Sequence, residues 1–203
     1  ACVDGLPEAA GRATLGGARR HFGDRHQSSK LLGGRRYWRI PVMEGEFLVE
    51  EKFGLQKGIG GGNFLILASS ADAALAAAEA GVNAIAGVPG VILPFPGGVV
   101  RSGSKVGSRR VKGMIASTND AFCPSLVGLV AKTELTAATR CVMEIVIDGL
   151  AESDVAAAMR AGIEAGVALG AAGGLLRISA GNYGGKLGPF HFHLHKLMAG
   201  GMP

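Results

Sequence analysis

Residues 63–188 carry one pattern twice: an apolar strand, an amphipathic helix, a second strand, a glycine turn and a Lys-x-Gly. In the first copy the strand spans 63–68 and the helix 71–85, with Leu75, Ala78, Val82 and Ile85 at three-to-four spacing on one face. Its second strand, 90–94, leads into Pro96-Gly97-Gly98 and then Ser104-Lys105-Val106-Gly107. The second copy has its strand at 141–147 and its helix at 152–169, where Val155, Met159, Ile163 and Val167 form the stripe. The strand 175–180 then runs into Gly184-Gly185-Lys186-Leu187-Gly188. Two such units bury both helical stripes at once when the helices share one face of a common sheet.

The fold class this predicts is α+β: two split βαβ units in one antiparallel sheet, a ferredoxin-like α/β sandwich with extra strands. One extra strand is expected at 190–197, where apolar and polar residues alternate. Upstream, the β-rich runs 36–42 and 45–53 flank Met43-Glu44-Gly45 and read as a hairpin. Residues 1–34 are Gly- and Arg-rich and weakly periodic, and read as loop with one short strand. The Gly58-Ile59-Gly60-Gly61-Gly62 run precedes a strand instead of joining strand to helix, so it lacks the context of a dinucleotide fingerprint.

Glycine is the compositional outlier, 34 of 203 residues against a usual share of about 7%. With 48% hydrophobic residues and no Gly-X-Y period, disordered and collagen-like chains are excluded. The excess instead implies turns with positive φ and places where backbone approaches something closely. Net charge is +5, and no acidic residue falls between Glu79 and Asp120, whereas Arg101, Lys105, Arg109, Arg110 and Lys112 do. Such a stretch is either a solvated basic loop or a clamp for phosphates and carboxylates. Three cysteines without CxxC spacing argue against a disulfide framework or a zinc site and for a reducing compartment. The apolar stretches are Ala-rich and too short to span a bilayer, so a soluble, cytoplasmic protein with no membrane partner is expected.

Glu144 is the sharpest single residue, a carboxylate inside the apolar run Cys141-Val142-Met143-Glu144-Ile145-Val146-Ile147. By alternation Val142, Glu144 and Val146 share one sheet face. Either that face is open and the charge is solvated or salt-bridged, or apolar surroundings hold a carboxyl that can take and pass a proton near neutrality. Ser117-Thr118-Asn119-Asp120 is a polar patch following the basic stretch, a turn or helix cap by composition and a binding loop by position. His191, His193 and His195 would face one way on a strand, a spacing that suits a metal in some folds. Without a fixed carboxylate or cysteine partner nearby, no metal is assigned. Around Asn182 and Lys186 the glycines let backbone approach a ligand, and the lysine could pair with an anion; a structural corner explains the same residues.

These segments resemble the formylmethanofuran–tetrahydromethanopterin formyltransferase family in its bacterial form. The resemblance runs through Pro41-Val42-Met43-Glu44-Gly45-Glu46-Phe47, Gly61-Gly62-Asn63-Phe64, Pro94-Phe95-Pro96-Gly97-Gly98 and Ser104-Lys105-Val106-Gly107-Ser108. It continues in Ala116-Ser117-Thr118-Asn119-Asp120-Ala121, Glu144-Ile145-Val146-Ile147, Ile178 through Gly188, and His193-Leu194-His195. Eight motifs in order are specific where one would not be. The stretch 126–140 matches no such motif and is expected to be a variable surface insert.

What the resemblance implies is a transferase of two ferredoxin-like lobes, with residues 1–40 the tail of the first lobe and its linker, and 41–203 the second. A chain opening on Ala1-Cys2-Val3-Asp4 would then lack the first lobe's N-terminal part. The family binds no metal or prosthetic group; formylmethanofuran and tetrahydromethanopterin act as coenzyme substrates. It forms homotetramers, and partner subunits of a formyltransferase/hydrolase complex are expected. The family's glutamate falls on Glu144, as the catalytic acid–base group. Lys105, Ser117, Asn119, Asn182 and Lys186 match motifs as substrate-binding donors or anion contacts. Set aside the resemblance, and a basic ferredoxin-like domain suggests nucleic-acid binding, for which the sheet would have to expose aromatics such as Phe64, Phe190 and Phe192.

Overall fold

The computed structural model describes residues 1–181 and 188–200, which fall into two compact units, Ala1–Lys57 and Gly58–Pro203. The first holds β1 (Gly11–Ala13), α1 (Leu15–Arg19), β2 (Ser28–Leu32), β3 (Arg35–Val42), β4 (Gly45–Glu50) and β5 (Phe53–Leu55). Strands β2, β3 and β4 form an antiparallel meander, and β1 pairs with β5. The β3–β4 connection is the expected hairpin: Val42 pairs with Gly45, whose φ of 128° is left to glycine.

The second unit holds β6 (Ile59–Ala68), α2 (Ala71–Ile85), β7 (Val91–Ile92), β8 (Ser104–Val106), β9 (Ala116–Thr118), β10 (Cys141–Gly149), α3 (Glu152–Val167), β11 (Leu175–Ser179) and α4 (Leu194–Met198). Its main sheet runs β11-β6-β10-β7 and every pairing is antiparallel. The two repeat copies thus interleave, with the first strand of each at the centre and the second strand of each at an edge. Both helices pack on one face: Phe64, Ile66, Met143, Ile145 and Ile147 from the strands meet Ala74, Ala78, Ile85, Val155, Met159 and Ile163 from the helices. The Ser70 hydroxyl caps α2 by accepting from the Ala73 amide at 3.1 Å, and Glu152 and Asp154 place negative charge on the first turn of α3.

The stripe of α2 lies elsewhere than the apolar spacing predicts. Leu75 is 40% exposed, and the buried positions are Ala74, Ala77, Ala78, Gly81 and Ile85. The cause is the closeness of the helix pair. A Cβ on Gly81 would sit 3.0 Å from the Gly162 carbonyl oxygen, and one on Gly166 would sit 3.3 Å from that of Ala77. Small residues therefore take the contact line and Leu75 turns outward. Val167 is likewise exposed, at the last residue of α3, while Val155, Met159 and Ile163 are buried as expected.

Residues 190–197 do not form a strand. The segment packs Phe192 against the core on the helical side of the sheet and then enters α4, which buries Leu197 and packs Leu194 there. Arg160 Nε of α3 donates to the Leu197 carbonyl at 3.0 Å. Core contacts three residues apart outweigh the alternation read from the sequence. His191, His193 and His195 are exposed, and the rings of the last two stand 5.7 Å apart. Among the described residues no three His, Cys, Asp or Glu side chains converge as a metal site, and no helix is long and apolar enough to cross a membrane.

Candidate functional site

The sheet face opposite the helices is covered too, and that cover makes the site. Leu65, Leu67 and Val142 pack against Leu135 and Phe122, which come from the long connection between β9 and β10. The stretch 126–140 is therefore more than a surface insert. Leu135 and Thr139 are buried, and the Arg140 amide donates to the Ala68 carbonyl at the end of β6. Its solvated side chains include Leu129 and Lys132.

Glu144 lies on this covered face and is 5% exposed, which removes the reading of a solvated charge on an open sheet. Its backbone is clamped from both sides. Leu65 of β6 stands opposite on one flank, and on the other Val100 makes both bridge hydrogen bonds, at 2.8 and 2.9 Å. Val100 reaches that place through the Pro96-Gly97-Gly98 turn. Gly98 has φ 72°, and a Cβ there would meet Leu93 and Val82 side chains at 2.7 and 2.8 Å. On the carboxyl itself, Asn63 Nδ2 donates to Oε1 at 2.6 Å.

Glu144 borders a cavity of about 160 Å³ whose wall includes Leu65, Val100, Arg101, Asn119, Cys123 and Val142. That volume takes a small polar group or the tip of a larger ligand, well below the roughly 300 Å³ at which pockets enclose a whole cofactor. A wider depression of about 500 Å³ lies in the first unit between residues 5–11 and Leu55-Gln56. Its titratable side chain is Glu8, so the chemistry points to the smaller cavity. Asn119 is brought there by the β8–β9 hairpin: its amide donates to the Gly103 carbonyl at 3.3 Å, and a short 3₁₀ turn follows at Asp120–Phe122.

Of the other residues singled out by sequence, Lys105 and Ser117 stand opposite each other in that hairpin. The Lys105 ammonium is ion-paired with Asp120, and Arg109 approaches the same carboxylate at 3.4 Å. The lysine hydrogen bond, helped by both charges, holds the Asp120 carboxyl below the ordinary carboxylate range against the opposing effect of burial. Ser117 Oγ donates to the Gly107 carbonyl at 2.7 Å. Asn182 and Lys186 lie outside the described residues. The site thus joins Glu144 and Asn119, while Lys105 and Ser117 build the hairpin that carries Asn119.

Arg101, the first residue of the basic stretch, reaches the cavity wall, whereas sequence reasoning singled out neither Asn63 nor Cys123 for the site. Asn63 was legible in principle, since strand alternation puts it on the face of Leu65 and Leu67, where a polar side chain among apolar ones needs a partner. Cys123 had no such signal. Burial pushes its thiol up, with Asp120 adding to the effect, and Sγ donates to the Asn119 carbonyl at 3.3 Å, so it is a neutral wall and not an activated nucleophile. Burial raises Cys141 in the same way. The nucleic-acid reading finds no support: Phe64 is wholly buried under the helices, and Phe192 packs against the core.

A family profile described as "FTR, proximal lobe" matches residues 45–197. The chain is 61% identical over 196 residues to the formylmethanofuran–tetrahydromethanopterin formyltransferase of Methylobacillus flagellatus, covering 97% of this chain and 64% of that protein. Among solved structures, it is similar to the formylmethanofuran:tetrahydromethanopterin formyltransferase of Methanosarcina barkeri, with TM-score 0.72, 47% identity, and coverage of 96% of this chain and 64% of that one. It is also similar to a chain of the formyltransferase/hydrolase complex of Methylorubrum extorquens in complex with methylofuran, with TM-score 0.71, 50% identity, and coverage of 94% and 63%. The chain therefore spans a little under two thirds of the relatives it matches. With the profile covering well over half of its residues, the chain belongs to the formylmethanofuran–tetrahydromethanopterin formyltransferase family, FTR, and carries its proximal lobe.

Proposed function

We propose that this chain is the proximal-lobe part of an enzyme that moves a formyl group between formylmethanofuran and tetrahydromethanopterin. The observation that carries the reading is Glu144, a buried carboxyl held by Asn63 on the wall of a small, mostly apolar cavity. In the forward direction the ring nitrogen of tetrahydromethanopterin adds to the formamide carbon. Glu144 takes the proton that nitrogen loses, the tetrahedral carbon collapses, and the departing methanofuran nitrogen receives the proton. The developing oxyanion needs donors, a role that falls to Asn119 at the cavity and to Asn182 and Lys186 as further substrate contacts, while Ser117, whose hydroxyl donates to the Gly107 carbonyl, serves by holding the hairpin that carries Asn119. Lys105 joins them as an anion contact by sharing its charge between Asp120 and a substrate carboxylate.

The strand order β11-β6-β10-β7, with both helices on one face, supports a ferredoxin-like lobe. The lobe division belongs to the same reading, with 1–40 as the tail of a first lobe and its linker and 41–203 as the second. A homotetramer in the cytoplasm, with further formyltransferase/hydrolase subunits as partners, completes it; support for the last is the complex of the M. extorquens relative.

The test uses the chain extended to the full length of its relatives and follows formyl transfer to tetrahydromethanopterin. Glu144→Gln keeps the shape and removes the proton acceptor, and is expected to lower kcat roughly 10²–10⁴-fold. A folded variant with near-wild-type turnover would remove Glu144 from the chemistry, and an inactive wild-type protein would count against the assignment as a whole.

A further inference from the structure

We propose that the β8–β9 hairpin is the docking site for an anionic tail on a coenzyme substrate, holding its carboxylates or phosphates while the reactive end enters the cavity. The inference rests on the formyl-transfer reading and names what the site recognises beyond the reacting atoms. The cavity of about 160 Å³ admits only the tip of a large ligand, so the rest of the molecule lies outside it. Both ends of the hairpin border that cavity: Arg101, Ser102 and Gly103 precede β8, and Asn119 follows β9. A ligand that extends past this rim runs onto the hairpin.

The hairpin stands apart from the main sheet, since β8 and β9 pair only with each other. Its shape is set by its own backbone. Gly107, with φ 72°, turns the chain out of β8, and its amide donates to the Ile115 carbonyl at 2.7 Å. The Ser108 hydroxyl accepts from the amides of Arg110 and Val111 at 3.2 and 3.1 Å. Those amides are thereby occupied, and the groups left to receive an anion are cationic side chains.

Charge on the hairpin is one-sided. No acidic residue lies between Glu79 and Asp120, and Asp120 already pairs with Lys105 and Arg109. Arg101, Arg110 and Lys112 are exposed, and among the described residues no carboxylate stands at ion-pair distance from them. Unmatched cations so close along the chain repel one another, and an oligo-anion relieves that repulsion at several points at once. The arginine forks suit carboxylate and phosphate alike. Val111, Met114 and Ile115, exposed among these charges, give the carbon chain of the tail a surface to lie on.

The experiment uses the protein extended to the full length of its relatives and measures kcat and the KM of each coenzyme in turn. It compares wild type with Arg110→Gln, Lys112→Gln and the double variant. Arg140→Gln, at an exposed arginine of the same unit outside the hairpin, is the control. Thermal melting and light scattering accompany each variant. At low salt the double variant is expected to raise KM roughly three- to tenfold for the coenzyme whose tail lies on the hairpin, with kcat within about twofold of wild type. The gap should close as salt rises from about 0.1 M to about 1 M, where the screening length falls from about 10 Å to about 3 Å. Arg140→Gln should leave KM where it was. A tetraglutamate peptide and inorganic tripolyphosphate, tried as competitive inhibitors, separate a carboxylate tail from a phosphate one. The matching anion should inhibit the double variant less than the wild type. Unchanged KM for both coenzymes, or no inhibition by either anion, overturns the inference while formyl transfer by the wild type keeps the enzymatic reading. An equal rise in Arg140→Gln overturns it as well, because overall charge and not the hairpin would then be at work. A double variant that dissociates, and regains the wild-type KM at high protein concentration, would make the hairpin a subunit contact instead. A wild-type protein without formyl transfer removes the reading of the site and this inference with it.

Discussion

In Ala1–Lys57 the wholly buried apolar side chains are Ile40 and Val49, whereas Gly58–Pro203 buries a continuous cluster running from Phe64 to Leu197. The smaller unit is fastened mainly by charge and by backbone contact. Asp4 pairs with Arg12 at 2.5 Å, Arg35 lies 3.5 Å from Glu50, Arg36 lies 3.7 Å from Glu51, and Arg39 pairs with Glu46. Its two tightest glycines abut main chain: a Cβ on Gly16 would fall 2.1 Å from the Glu50 carbonyl oxygen, and one on Gly54 would fall 2.2 Å from that of Leu6. The larger unit has apolar packing on both faces of its sheet, and at several of its tight glycines the nearest atoms are side-chain ends. A short segment has too little interior to rely on area, so geometry and charge carry more of its order.

The largest expected effect tests the apolar side of this contrast. Phe64→Ala empties the centre of the larger core and should cost about 3–5 kcal/mol in chemical denaturation of that unit. Hydrogen exchange should show the loss at amides of β6, β10 and α3 and leave amides of β3 and β4 near their original protection. Equal loss in both units would break the comparison, since it would mean that the two open together.

A middle-sized effect sharpens it. Gly16→Ala pushes a methyl group into a backbone carbonyl that cannot rotate away, and overpacking of this kind costs about 1–3 kcal/mol. Gly166→Ala meets the Ala77 carbonyl at 3.3 Å, a contact that a small helix shift relieves. There the gain of roughly 0.5–1 kcal/mol in helix propensity offsets the strain, and the melting point should change little. A reversed ranking would show that the smaller unit yields more easily than its backbone contacts imply.

The two regions also differ in how far they can be read from residues. In the larger unit, α2 starts and ends where the pattern places it, because a serine cap, a first-turn aspartate and a continuous alanine-rich face agree locally. The same pattern misplaced Leu75, since which face is buried depends on how closely α3 approaches, and that is a property of two helices 80 residues apart. The 190–197 alternation misled for a similar reason: a place for Leu197 under α3 decides the conformation. Glu144 was legible because a carboxylate in an apolar strand is conspicuous within one segment. Its partner Asn63, its backbone clamp Val100 and the cover from Leu135 come from three other segments, and only the register of the sheet brings them together.

The smallest effect concerns acid. In the first unit the Asp4 carboxylate accepts from the amides of Gly54 at 2.9 Å and Leu6 at 3.0 Å and from Arg12, and these bonds hold its carboxyl below the ordinary carboxylate range, the backbone amides foremost. A lowered folded value means that folding favours the ionised form. The stabilisation is complete above the ordinary aspartate value near 3.9 and drains away as pH falls from there through the lowered one. Asp120 in the second unit shifts in the same direction, but its leading cause is a lysine side chain. Protonating Asp4 loosens main chain between residues 4 and 54, while protonating Asp120 releases side chains of one hairpin. Protection of the Gly54 and Leu6 amides, corrected for the intrinsic exchange rate, should therefore fall as pH drops below about 4, before that of the β6–β10 amides, and Asp4→Asn should flatten that dependence. Salt separates the two further. The exposed Arg109 is screened, and the partly buried Lys105 less so, so 0.5 M salt should weaken the Asp120 pairing at neutral pH, whereas the amide bonds to Asp4 should persist. Equal salt sensitivity at both carboxylates would mean that Arg12, and not the backbone, dominates at Asp4.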